Sequence, residues 1–310
     1  MACKCDVGLG NTGLPNCQPI ASVAKKLIVV PTYNDAGTKN GILLSATLDQ
    51  AYWDAATNNA DASERWFPLP SMENLTHERG DSVTEESGSG RLAFIREGVK
   101  SLFGEMWKQS PAFLGKLKEA KCTDISVFIV DNDGNIIGSC PSEDGYLYPI
   151  ALDKNSWDAK MVEATDSTIQ KVSLGFNWSD DAKDEDIRMV TSDEYTGNVL
   201  GLKGLLDIVG VNGASSKAAA TVTIDLQTIY GSKASPVKIK GLILTDFSLF
   251  NVTTGLAVVI DSVTEVNGSY TLDYTTGTAG VTIADVLQVT VAKNGYDSTG
   301  LSATNIVVAA

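Results

Sequence analysis

The chain has 310 residues, 43% hydrophobic and 20% charged, with a formal net charge of −14. That length predicts two domains able to bury cores, and the composition excludes wholesale disorder. A chain this acidic repels phosphate backbones, which disfavours nucleic-acid binding by counterion release, and no run of 18 apolar residues is present to cross a bilayer as a helix.

The charge is uneven: from Thr221 onward there are seven Asp/Glu against four Lys/Arg, so most of the negative charge belongs to the earlier part. The opening residues MACKCDVGLGNTGLPNC have no apolar core of a secretory signal, so the expectation is a chain made in a cytoplasm. Its five cysteines (Cys3, Cys5, Cys17, Cys122 and Cys140) are an odd number, which argues against an obligatory disulfide framework.

In chain order, residues 1–24 are rich in Gly, Asn, Pro and Cys and read as an extended N-terminal arm. Residues 27–33 (LIVVPTY), a turn at Asn34-Asp-Ala-Gly37 and residues 41–44 (GILL) predict a hairpin. A short acidic helix is expected around residues 49–56. Residues 71–90 are polar and acidic and read as a long exposed loop. Leu92, Ile95, Val99, Leu102, Phe103 and Met106 fall on one helical stripe and predict an amphipathic helix over 91–107. Ser110-Pro111 supplies an N-cap and a first-turn proline for a second short helix through Ala120.

Between Cys122 and Cys140 the β-branched run 125–130 (ISVFIV), the turn 131–134 (DNDG) and Ile136-Ile137 predict a hairpin. Val172, Leu174, Phe176 and Trp178 alternate with polar or small residues, a half-buried strand; residues 180–186 are a charged turn after which 187–190 returns as its partner. The apolar, glycine-broken stretch 199–211 reads as a short helix or packed loop, and 212–220 (NGASSKAAA) as a linker. Seven short strands then follow, at 221–226, 237–242, 247–252, 257–266, 269–275, 286–293 and 305–309, with turns every 8 to 12 residues. That is the pattern of an immunoglobulin-like sandwich, lacking the cysteine pair and core tryptophan of antibody domains. The fold class expected is mainly β (α+β): an arm over residues 1–24, a β domain with a packed helix over 25–215, and an Ig-like sandwich over 221–310.

Catalytic signatures fail on residue type or spacing. A single histidine, His77, would have to serve any Ser–His–Asp or Cys–His mechanism, and it sits in a polar stretch; no enzymatic activity is expected. Cys3, Cys5 and Cys17 do not match a zinc knuckle; zinc ligation, a disulfide formed in an oxidising medium and plain thiols all stay open for them. Asp131, Asp133 and Asn135 imitate the start of a calcium loop, but the glycine stands at the fourth position and no glutamate at the twelfth, so a hairpin turn explains them better. Gly8-Leu-Gly-Asn-Thr-Gly13 has the letters of a dinucleotide loop without its flanking strand and helix. No metal or cofactor is expected. Residues 66–70 (WFPLP) are either a sticky patch for a partner or the anchor where a strand enters the core.

The arm, the hairpin, the long polar loop, the 91–107 helix and the Phe176-Asn-Trp178 strand, in that order, resemble the tail tube (major tail) proteins of bacteriophages, some of which carry a C-terminal immunoglobulin-like domain. CDVGLGNTGLPNC (5–17) followed by KKLIVVPTYNDAG (25–37) is similar to structural proteins of phages infecting Bacteroidetes hosts. The resemblance implies a virion protein of the tail, made in the host cytoplasm, whose sheets join those of its neighbours into rings, usually of six, that stack into a tube for DNA passage. Implied partners are further copies of the chain and sheath, tape-measure and tail-terminator proteins, with DNA only transiently in the lumen and weak glycan or host-surface contact through the outer Ig-like domain; no membrane insertion is implied. Glu73, Glu78, Asp81, Glu85 and Glu86 would then belong to a lumen or stacking loop. The alternatives are a capsid decoration or head protein and a bacterial surface adhesion protein.

Overall fold

A computed structural model describes residues 3–5, 17–232 and 234–310. The chain divides into two compact units, Met1–Gly204 and Leu205–Ala310, both mainly β.

The longer elements of the first unit are β1 (Ala24–Pro31), α1 (Gln50–Thr57), β2 (Glu73–Arg79), β3 (Val83–Glu86), β4 (Leu92–Arg96), β5 (Lys100–Trp107), α2 (Pro111–Glu119), β6 (Ile125–Asp131), β7 (Ile136–Ser139), β8 (Asp158–Val162), β9 (Lys171–Asn177) and β10 (Ile187–Val190). One sheet runs β10-β7-β6-β1, with Phe67–Pro68 added on the far side of β1. The other runs β8-β9-β5-β2.

The sequence of β1 explains its central place. Leu27 and Val29 join Val127 and Ile129 of β6 in a core shared with Leu102, Met106, Val172, Leu174 and Phe176 of the second sheet. Ile28 and Val30 point the other way, into a second core with Phe128, Val130, Trp53 and Trp66. A strand buried on both faces reads as a continuous apolar run and needs a partner on each side. The expected hairpin with residues 41–44 therefore does not form: β1 pairs with β6 and Phe67–Pro68, while Ile42–Leu43 pairs with Tyr146–Leu147.

Both short helices form where capping chemistry places them. Asp49 caps α1 by accepting from the Tyr52 amide at 2.9 Å. Ser110 caps α2 by accepting from the Phe113 amide at 3.3 Å, with Pro111 in its first turn. Leu117 of α2 is buried, and the Trp157 indole donates to its carbonyl at 2.7 Å, so α2 is the helix packed on the core.

The largest correction concerns residues 71–107. Neither a long loop nor a 91–107 helix is present; the segment is four strands, β2 to β5. β9 stands beside β5 in register (Phe176 opposite Leu102, Leu174 opposite Gly104, Val172 opposite Met106) and satisfies its backbone while burying Leu102 and Met106. Leu102 and Met106 fit the period of a strand as well as that of a helix, and the non-local pairing decides between them. β9 is the half-buried strand expected, but its partners are β8 and β5; β10, the partner expected, pairs with β7. At the start of the chain Cys3–Cys5 pairs antiparallel with Cys17–Pro19, and Ala24 already belongs to β1.

The second unit contains β11 (Leu206–Ser216), β12 (Thr221–Gly231), β13 (Phe247–Asn251), β14 (Leu256–Val258), β15 (Ser262–Val266), β16 (Ser269–Asp273), β17 (Val286–Val291) and β18 (Asn305–Ala309). Its ladder order is β14-β13-β17-β18-β11-β12-β16-β15, and β11 runs parallel to β18 while the other neighbours in that order are antiparallel. Both halves of the ladder line one core, with Val222, Ile224 and Leu272 from one and Leu249, Leu287 and Ile306 from the other. The expected strand over 257–266 is split: β14 pairs with β13 and β15 with β16, so the chain crosses between halves at residues 259–261. The stretch 212–220 read as a linker instead finishes β11 and turns into β12, and the boundary lies at Gly204/Leu205.

Candidate assembly surfaces

β2 and β5 pair through Arg79 opposite Lys100, and the Gly80 amide extends the ladder by donating to the Val99 carbonyl at 2.8 Å. Beyond this point the chains continue as a separate ribbon, β3 against β4, closed at its tip by the Ser87 amide donating to the Arg91 carbonyl. The join is a backbone pinch. A Cβ added at Gly98 would stand 1.8 Å from the Gly80 carbonyl oxygen. Gly98→Ala is therefore expected to open the base of the ribbon and raise amide exchange over residues 83–96, with the β5–β9 amides unchanged. Unaltered exchange in the ribbon would show that the pinch does not hold it.

Every residue of β3 and β4 is exposed. Leu92 keeps 70% of its surface, Phe94 61% and Ile95 55%. A two-stranded ribbon without a third strand or a core is marginal in water, and apolar side chains gathered on one protrusion mark an interaction surface.

The five acidic residues singled out from sequence do not form one cluster. Glu73 begins β2 and pairs with Lys25. Glu78 is on β2 opposite Ser101, Asp81 sits at the pinch, and Glu85 and Glu86 lie on β3 opposite Ala93 and Leu92. They line one long two-part hairpin rather than a loop. Leu92, Phe94 and Ile95 are the ribbon's most exposed apolar groups; sequence assigned Leu92 and Ile95 to the stripe of a helix and left Phe94 off it, and the glycines at 80, 88, 90 and 98 were the signal that this stretch turns and kinks.

At the foot of the hairpin a groove of about 460 Å³ has an apolar floor that includes Leu75, Ile129 and Ile150, with His77, Lys100, Trp178 and Asp184 around it. The Trp178 indole donates to His77 Nε2 at 3.2 Å, and the two rings meet edge-on. Burial lowers the His77 pKa below its ordinary value, Arg79 adds to this and Asp184 opposes it, so the ring is neutral at neutral pH. Burial works to raise the Asp184 pKa, yet Lys100 at 2.9 Å and Arg79 hold it below the usual range. His77 is thus engaged as an acceptor for Trp178.

Other candidates resolve locally. The fully buried Asp131 carboxylate accepts from the backbone amides of Ser22, Asp133 and Asn135 and from the Asn135 side chain, the work of a turn rather than of a calcium loop. Trp66, Pro68 and Leu69 are buried, Trp66 against Trp53 and Phe128, and anchor the core, while Phe67 between them is exposed. Cys122 and Cys140 are free thiols. The side chains of Cys3, Cys5 and Cys17, and residues 8–13, lie outside the described residues. Among the described residues no group of three or more His, Cys, Asp or Glu is placed to hold a metal ion, and no helix is long and apolar enough to cross a membrane.

No protein-family model matches the chain, and no curated protein matches it. Among solved structures it is similar to a chain of the cryo-EM structure of the anti-feeding prophage (AFP) baseplate, 6-fold symmetrised, with a TM-score of 0.25 and 11% identity over 60% of this chain and 99% of that one. A TM-score at this level carries no argument about fold or function.

Proposed function

We propose that the chain is a structural, non-enzymatic subunit of a bacteriophage tail that assembles with copies of itself into stacked rings, a tail tube for DNA passage. The observation that carries this reading is the β3–β4 ribbon, which presents Leu92, Phe94 and Ile95 to solvent with no core of its own. Such a ribbon gains most by burial against another molecule, and free sheet edges, normally an aggregation hazard, are satisfied when subunits close into a ring. Of the elements on which the sequence resemblance to the tail tube family rested, the strand ending at Phe176-Asn177 forms, while the 27–44 hairpin, the long loop and the 91–107 helix do not; that family's usual state is a ring of six, and an acidic lumen would not hold DNA by its phosphates.

The strand order of the second unit supports its reading as an immunoglobulin-like sandwich. Taking β11, β12, β16 and β15 as strands A, B, E and D and β13, β17 and β18 as C, F and G, its ladders follow the two-sheet arrangement of such domains. In this reading the unit lies on the outside of the tube and makes weak glycan or host-surface contacts. Sheath, tape-measure and tail-terminator proteins would be the other partners. A capsid decoration or head protein is the competing assignment.

Negative-stain microscopy and light scattering of the purified full chain test the proposal. Rings or tubes are expected, and Leu92→Asp combined with Phe94→Asp is expected to abolish them while leaving the fold intact by circular dichroism. A wild-type chain that stays free of rings and tubes at high concentration would exclude self-assembly into a tube.

A further inference from the structure

The two halves of the second unit differ in charge. Strands β13, β14, β17 and β18 (FSLFN, LAV, VLQVTV and NIVVA) contain no charged residue, whereas the strands of the other half carry Asp207, Asp225, Glu265 and Asp273. The outward side of the neutral half is ordered in rows. The Val252 amide donates to the Val286 carbonyl at 2.8 Å, and Val286 stands opposite Val307, which sets three valines side by side across the sheet. The next row holds Phe250 and Asn305 on either side of Gln288, and beyond it Ser248 stands opposite Thr290. Val252 and Val307 are about half exposed or more, at 48% and 60%, and Phe250 at 39%.

We propose that this face is a self-association surface on which the second unit docks against the same face of a second copy about a two-fold axis. The occupant follows from charge. Two copies of a chain carrying −14 repel each other wherever acidic surfaces meet, and this face brings no charge to the contact from either side. A two-fold contact sets residue i against j and j against i, and only residues on the axis meet their own counterparts. An axis running along β17 lays the valine row of one copy on that of the other, Val252 against Val307 and Val286 against itself, which buries apolar surface on both, and brings Thr290, which carries a donor and an acceptor, against its counterpart. A cationic or phosphate-bearing ligand would find no charged group on these strands to pair with.

The proposal is independent of the tail assignment, and its test is done where the ribbon cannot contribute. In the full chain carrying Leu92→Asp and Phe94→Asp, sedimentation velocity across a concentration series is expected to show a reversible dimer. Adding Val307→Lys, which puts a charge in the middle of the contact, is expected to weaken that dimer by at least about tenfold, with an unchanged thermal unfolding profile. Asn305→Lys, also exposed on this face, serves as the second variant if Val307→Lys does not fold. A chain that is monomeric in the ribbon-variant background, or a dimer indifferent to both lysines, would overturn the proposal. The role of the ribbon is judged separately, by whether its two substitutions remove rings and tubes.

Discussion

Trp53→Ala is expected to destabilise the first unit by about 3–5 kcal/mol, as truncation of a buried aromatic residue leaves a cavity that its surroundings fill incompletely. Trp53 is fully buried, and its ring lies 4.9, 5.4 and 5.9 Å, centroid to centroid, from those of Tyr52, Tyr195 and Trp66. Its indole also donates to the Thr196 carbonyl at 3.2 Å, an acceptor the alanine variant leaves without that donor. One residue of α1 thus ties together segments near residues 66 and 195. Against a total stability of about 5–15 kcal/mol for a typical domain, the loss is a large share. Urea unfolding followed by tryptophan fluorescence reads this unit alone, because all five tryptophans precede Leu205. A shift worth less than about 1 kcal/mol would mean that the aromatic cluster does not organise the second core.

The second large effect is a pH dependence centred on Lys26. This residue of β1 is buried, and its ammonium donates to the carbonyls of Leu200 and Leu202. Burial, with a smaller contribution from nearby Lys203, lowers its pKa from 10.5 to about 8. The sign follows from proton counting. Below about pH 8 both folded and unfolded chains hold the proton, and between 8 and 10.5 only the unfolded chain does. Stability from this group therefore rises with pH through that window, by up to about 3 kcal/mol in all. Measured from pH 7 to 10, wild-type stability is expected to climb relative to that of Lys26→Met. Restricting the range keeps Tyr148 and Tyr195, both pushed up to about 12, outside the titration. Parallel stability curves for the two proteins would refute the assignment. At neutral pH the substitution has opposing consequences: it removes a buried charge and leaves the Leu200 and Leu202 carbonyls without their donor.

Much of the local structure was legible in the residues because its causes are local. Asp49 and Ser110-Pro111 start helices through their own side chains and ring. Asp131-Asn-Asp-Gly134 makes a turn because the aspartate folds back on the amides that follow it. Asn267-Gly268 joins β15 to β16 as a two-residue turn with both residues at positive φ, 52° and 80°, which the glycine adopts freely. The spacing of such turns also made a β-rich C-terminal unit readable without knowledge of any pairing.

Partners and exposure were not legible. The apolar residues of 27–30 announce burial, but whether they join a neighbour in sequence or one about a hundred residues away is settled by which strand completes both cores, and that was β6. Residues 92–106 fit a helix and a strand alike, and β9 decided for β5. The ribbon misled for a further reason: periodicity assumes that an apolar side chain seeks the core of its own chain, and Leu92 and Ile95 have no core there to enter. By itself the sequence determined the turns, the caps and the acidic, histidine-poor composition. Only the tertiary structure decided strand order, the unit boundary and the two surfaces proposed for assembly, because hydrogen-bond partners and solvent exposure depend on contacts between distant segments that no local window contains.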